Sequence, residues 1–293
     1  MLFRGVCTAI VTPFDTEGKV DFNAFEKLVE MQIKAGVSAI VFMGTTGEAS
    51  TLTRAEKIEI AKFAIKSVAK RAKVIVGSGS NDTATAIAQS QMFEALGVDG
   101  LLVVTPYYNK CTQSGLILHY KAIAESVDLP IILYNVPSRT GVNIEAKTAI
   151  ELSKINNIVG IKEASGKLTQ AAEVIYGTSN EFAVYSGDDA LFLPFLAIGG
   201  DGVVSVVSNI APKLMVNLFN KFELGDIDSA IKLNKKLSPF YSAMFVEVNP
   251  IPVKNALNIL GLNAGTMRLP LSIDMKPENF ERVKSAVLDD TIN

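Results

Sequence analysis

The chain has 293 residues, 48% of them hydrophobic and 20% charged, with a formal net charge of −2. A chain this long buries ~75% of the surface its unfolded form exposes, so a full core is available. No block of like charge appears, which argues against nucleic acid or an anionic membrane as partner, because both need a basic face.

In chain order, short apolar runs alternate with longer amphipathic ones. The strand candidates are "GVCTAIV", "SAIVFM", "AKVIVG", "DGLLVVT", "PIILYN", "IVGIK", "FAVYS" and "DGVVSVV". Segments such as "FNAFEKLVEMQIKAG" and "TAIAQSQMFEALG" between them carry apolar residues three and four apart and end on a glycine suited to a helix stop. Thr53 followed by Glu56 reads as a capping box for the helix after the second strand. Strands buried on both faces and separated by helices imply a parallel sheet. Eight such units in about 225 residues suit a closed (βα)₈ TIM barrel. After "ELGD" the strands stop, so residues 226–293 read as a C-terminal helical segment following a catalytic barrel over residues 1–225.

The most apolar stretch, "LFLPFLAIGGDGVVSVV", is broken by Pro194, Gly199, Gly200 and Asp201 and reads as a buried helix and a strand rather than a membrane span. Cys7 and Cys111 are too few for a disulfide framework, and no secretory signal precedes "GVCTAIVTPF", so a reducing cytoplasm is the expected home. The single histidine, His119, lies in the helical "GLILHYKAIAES" and reads as a helix-surface residue. No CxxC or HExxH occurs, so chemistry without metal, cofactor or histidine is expected.

Polar residues gather at the strand ends, as "TPF", "GTTGE", "GSGSN", "TPYYN", "NVPSRTG", "KEASG", "SGDD" and "SNI". In a barrel these ends share the face that carries active sites. "GSGSND" lacks the third glycine of a dinucleotide fingerprint. The sixth strand is the unusual one, because its apolar run ends in Lys162 and Glu163. An ordinary lysine is neutral in only about one molecule in 2,500 at pH 7, but burial favours the neutral amine. A neutral amine can attack a ketone and form a Schiff base, which acts as an electron sink. The alternative is an ion pair with Glu163 or an aspartate of the seventh strand. Strand alternation weakens the first, since neighbouring side chains point to opposite faces.

"GTTGE", "YYN", "YNVPSRTG" and "GIKEASG", in that order at successive strand ends, resemble the dihydrodipicolinate synthase and N-acetylneuraminate lyase superfamily over essentially the whole chain. The resemblance implies that Lys162 forms a Schiff base with pyruvate and that Tyr134 is the general acid/base. Thr45 would link Tyr134 to Tyr108 in a hydroxyl relay, and Tyr108 would reach a neighbouring subunit's site. Thr46, with backbone amides of the Gly44–Gly47 loop, would hold the pyruvate carboxylate. Gly187 and Val204 would offer backbone carbonyls near the substrate. Arg139 would grip the carboxylate of L-aspartate 4-semialdehyde in a bidentate contact.

The implied activity joins these two small molecules on the route to lysine, in a homo-oligomer expected to be a tetramer. Within the superfamily the rival is a sialic or deoxy-sugar acid aldolase, which Arg139 argues against; outside it, a catalytically idle keto-acid binder. Lysine-sensitive relatives usually place an acidic residue at the position of Thr85, and histidine or an aromatic near Arg54 and Lys57. Asn81 and Tyr107 fit that pattern, whereas Thr85, Arg54 and Lys57 depart from it, so weak or absent inhibition by lysine is expected.

Overall fold

Strands rich in valine, isoleucine and leucine lose the most water when covered on both faces, and here they are buried along nearly their whole length. The computed structural model of the chain describes residues 1–289. Its strands are β1 (Gly5–Ala9), β2 (Ala39–Phe42), β3 (Lys73–Gly77), β4 (Gly100–Val104), β5 (Ile131–Asn135), β6 (Ile158–Glu163), β7 (Ala183–Ser186) and β8 (Gly202–Ser205). They form a closed barrel in chain order, as expected of a (βα)₈ fold.

The helices before β5 are α1 (Phe22–Ala35), α2 (Arg54–Val68), α3 (Thr83–Leu96) and α4 (Gln113–Ala124). After it come α5 (Pro137–Thr140), α6 (Ala146–Leu152), α7 (Leu168–Gly177), α8 (Phe192–Ala197) and α9 (Pro212–Glu223). The C-terminal segment adds α10 (Ile227–Ala243), α11 (Ile251–Ile259) and α12 (Pro277–Leu288), where the sequence places helices.

By compactness the chain falls into two units. One comprises Met1–Gly5 with Lys73–Val204; the other comprises Val6–Ala72 with the chain from Ser205 onward. Within the first unit, β5 and β6 pair so that Tyr134 lies beside Lys162 and Asn135 beside Glu163. That register puts the two candidate catalytic side chains next to each other. Gly160 keeps β6 close to β7, since a Cβ there would lie 2.6 Å from the Ala183 carbonyl oxygen.

Within the second unit, local signals set the helix ends. The Asp21 carboxylate caps α1 by accepting from the Asn23 and Ala24 amides, and Gly36 ends it with φ +84°. The Thr53–Glu56 capping box forms as the sequence predicts. On its inner face α1 buries Phe25, Leu28 and Val29, with the Phe25 ring 5.6 Å from Phe42 and 5.1 Å from Phe63. In the tail, α10 packs on α9 and α12, and α11 packs on α12.

His119 departs from expectation. Rather than lying on the helix surface, it is 5% exposed, and its Nδ1 shares a hydrogen bond of 2.9 Å with Thr83 Oγ1 at the start of α3. Helical spacing identifies a face of α4, but not the neighbouring helix that covers it. Burial holds the His119 pKa below its ordinary value, and the nearby Asp82 charge opposes that shift.

Candidate active site

Lys162 stands near the end of β6, 6% exposed, with its amine 4.3 Å from the centroid of the Tyr134 ring. Tyr134 is equally buried and ends the apolar part of β5. Gly187, just beyond β7, completes this seat. A Cβ added there would come within 3.1 Å of Lys162 Cε and 2.5 Å of Ala164 Cβ, so only a glycine leaves the lysine its room. Val204, on β8, is buried.

The neighbouring carboxylate is occupied elsewhere. Glu163 Oε2 accepts from Asn135 Nδ2 at 2.9 Å and Gln170 Nε2 at 3.0 Å, and Oε1 accepts from the Ser165 amide at 2.6 Å. Asn135 is itself braced by Asn143 and the Ile144 amide. These bonds tie the ends of β5 and β6 together from the side opposite the lysine. Alternation along β6 thus separates the face that carries Lys162 from a bracing face, as the strand period requires. Strand alternation in the sequence weakened Glu163 as a partner for Lys162 but gave no sign of Asn135, Asn143 and Gln170. Their only local signal is amide side chains at strand and loop termini.

Arg139 lies exposed in the last turn of α5, on the "NVPSRTG" segment directly after β5. Tyr108, after β4, is 93% exposed and has φ +72°. Such a backbone is uncommon and costly for a bulky residue.

In the second unit, "GTTGE" forms a tight turn after β2. The Gly44 carbonyl accepts from the Gly47 and Ala49 amides, and the Thr45 carbonyl accepts from Glu48. Gly47 is enclosed on three sides; a Cβ would meet Met43 N at 3.1 Å, Ile10 O at 3.2 Å and Thr12 Oγ1 at 3.3 Å. Its amide is committed within the turn, which narrows the anion-holding role expected of this loop toward Thr46. Thr45 is partly exposed, and Thr46 is 3% exposed with its hydroxyl oxygen accepting from Asn249 Nδ2 at 3.0 Å.

Beneath the turn lies a second buried lysine that sequence reading missed. Lys254 Nζ donates to Glu48 Oε1 at 2.6 Å and to the Thr266 carbonyl at 2.7 Å, with both ion-pair side chains fully buried. Burial draws the Lys254 pKa down to about 8 despite the carboxylate beside it. The Arg268 amide caps Glu48 Oε2, and Lys254 and Arg268 each stand 4.4 Å from the Phe14 ring centroid. The one available signal was a lysine within the apolar run of α11. Among the described residues no three His, Cys, Asp or Glu side chains group so as to hold a metal ion, and no helix is long and apolar enough to cross a membrane.

A closed barrel with a strand-end lysine beside a tyrosine defines a Schiff-base-competent (βα)₈ protein. The model of the dihydrodipicolinate synthetase family matches residues 2–287, and the chain belongs to that family. A 4-hydroxy-tetrahydrodipicolinate synthase of Thermoanaerobacter sp. (strain X514) is 47% identical over 98% of this chain and 96% of its own length. The synthase of the same name from Thermodesulfovibrio yellowstonii is 50% identical over 96% of each chain. Among solved structures, a chloride-inhibited dihydrodipicolinate synthase from Acinetobacter baumannii complexed with pyruvate superposes with a TM-score of 0.95. It is 45% identical, and 99% of each chain is covered.

Proposed function

We propose that this chain is a Schiff-base lyase that condenses pyruvate with L-aspartate 4-semialdehyde to 4-hydroxy-tetrahydrodipicolinate. The observation that carries the reading is the buried Lys162 amine beside the Tyr134 ring, with the adjacent carboxylate braced on the other side. The Lys162 amine attacks C2 of pyruvate, and loss of water gives an imine. Removal of a C3 proton yields an enamine whose carbon attacks the aldehyde. The amine of the joined substrate then attacks C2, closes the ring and releases Lys162. The iminium takes up the electron pair when the C3 proton leaves and again when the ring closes; in between, the enamine gives the pair to the aldehyde, whose oxygen takes a proton, so no cofactor is called for.

In this reading Tyr134 moves protons to and from the C2 oxygen, and Thr45 and Tyr108 form the relay behind it. The Thr46 hydroxyl holds the pyruvate carboxylate. Gly187 and Val204 line the substrate's path with carbonyls, and Arg139 takes the second substrate's carboxylate through its planar fork. The exposed, strained Tyr108 supports a role across a subunit boundary, within a dimer that pairs into a tetramer. Lysine is a weak inhibitor or none. The Asp82 carboxylate at Thr85 already accepts from the Thr85 amide at 2.7 Å and hydroxyl at 2.5 Å as the cap of α3. Half-inhibition by lysine well below millimolar in a rate assay would refute that part.

Incubation with pyruvate and borohydride, followed by peptide mass spectrometry, tests the central claim. A reduced adduct on Lys162 is expected, and its absence defeats the reading. Addition of aspartate semialdehyde, with a reductase consuming the product, should then give turnover; turnover with a sialic or deoxy-sugar acid instead would move the chain to the rival aldolase activity.

A further inference from the structure

Side chains of the C-terminal segment reach three residues of the "GTTGE" turn or its exit. Asn249 Nδ2 donates to Thr46 Oγ1 at 3.0 Å, Lys254 Nζ to Glu48 Oε1 at 2.6 Å, and Arg268 Nη1 to the Thr51 carbonyl at 2.9 Å. Glu48 sits at φ +53°, a conformation that persists in a non-glycine residue only where its surroundings impose it. Lys254, two residues after the second of the prolines that open α11, anchors that helix on the turn and so fixes the chain that carries Asn249.

The contact on Thr46 has a chemical consequence. A threonine hydroxyl offers one hydrogen and two lone pairs. Once an amide N–H occupies one lone pair, the hydroxyl hydrogen must find its acceptor in another direction. The Asn249 amide thereby biases a two-way group into a donor, which is the state a carboxylate requires. Asn249 is 6% exposed and Thr46 3%, so little water competes for that oxygen.

We infer that Asn249 is a positioning residue that fixes the Thr46 hydroxyl as the hydrogen-bond donor to the keto acid's carboxylate. This rests on the assignment of Thr46 to that carboxylate in the proposed function. It gives the C-terminal segment a part in substrate binding without any of its side chains touching substrate.

The test is steady-state kinetics on Asn249→Ala, Asn249→Asp and Thr46→Val, alone and with each Asn249 change added to Thr46→Val. Asn249→Ala should raise the KM for pyruvate about five- to tenfold, the worth of one hydrogen bond, with kcat and the KM for aspartate semialdehyde changed less than about twofold. Asn249→Asp should be worse than alanine, although it is nearly isosteric, because a carboxylate turns the hydroxyl hydrogen toward itself. Neither change should add to Thr46→Val, and borohydride at saturating pyruvate should still label Lys162 in every variant. Unchanged pyruvate KM in Asn249→Ala, an aspartate variant milder than alanine, full additivity with Thr46→Val, or loss of folding in both Asn249 variants would each overturn the inference. A Thr46→Val enzyme with normal pyruvate KM would fail differently: the carboxylate assignment itself falls, and this inference with it. Loss of the Lys162 adduct in the parent enzyme would sink the proposed chemistry instead.

Discussion

Among the described residues two lysines are buried, one in each compact unit, and they are solved in opposite ways. Lys254 is fully buried and answered in full, by the Glu48 carboxylate, a backbone carbonyl and the face of Phe14. Lys162 is 6% exposed and faces the Tyr134 ring, while the carboxylate next to it in sequence accepts three hydrogen bonds on the far side of the strand. Burial alone therefore does not decide how a lysine is held. Lys254 spends its ammonium on a carboxylate and a carbonyl, whereas the Lys162 nitrogen stands over the Tyr134 ring with the neighbouring carboxylate turned away.

Substitution of each lysine should separate these roles, with the largest effect at the reactive one. Lys162→Met should lower kcat/KM about a thousandfold or more and abolish the pyruvate adduct, while the thermal melt stays near that of the parent. Comparable turnover in this variant would break the comparison at its base. Lys254→Met should instead cost about 3–5 kcal/mol of stability, because it strands Glu48 as a buried charge. The double change Lys254→Met with Glu48→Gln should recover much of that loss in denaturant melts. Failure to recover would mean that the pair's geometry matters more than its charge.

Gly187→Ala sharpens the contrast from the other side. The new methyl must displace Ala164 or the stem of Lys162, so the amine moves while the core keeps its packing. Activity should fall about ten- to a hundredfold, more than stability does, and the adduct should form more slowly. Equal damage to melting temperature and turnover would show Gly187 to be a packing residue.

Most of the barrel was legible because its signals are local. Runs of β-branched residues, the Thr53–Glu56 box and the glycine after α1 act within a few positions, and each appears where the sequence puts it. Strand alternation also told Lys162 from Glu163. The long-range partnerships were not legible. Glu48 meets Lys254 across 206 positions, and Thr46 meets Asn249 across 203. Nothing in the periodicity of α11 says which turn its lysine will reach. His119 failed for the same reason, since Thr83 and the cover it provides belong to a different helix. Pairing across the fold is decided by packing, which local pattern does not encode.

The smallest expected effect concerns the anchor beside Lys254 and can be read from its pH dependence. Glu56 Oε2 accepts from Arg268 Nη1 at 3.0 Å and from the Thr53 amide at 2.9 Å. The Arg268 guanidinium first, and then Thr53, hold the Glu56 pKa at about 2, down from an ordinary 4.5. A depressed carboxylate pKa stabilises the fold fully above the unfolded value and loses that contribution as pH falls toward the folded one. The stability difference between the parent and Glu56→Gln should therefore be constant above pH 4.5 and shrink steadily between there and about pH 2. Because both side chains are partly solvated, the gap should also narrow in high salt, unlike that of Lys254→Met. A gap that ignores both pH and salt would show that Glu56 serves α2 only as a cap, and that Arg268 fixes the turn without the help of its charge.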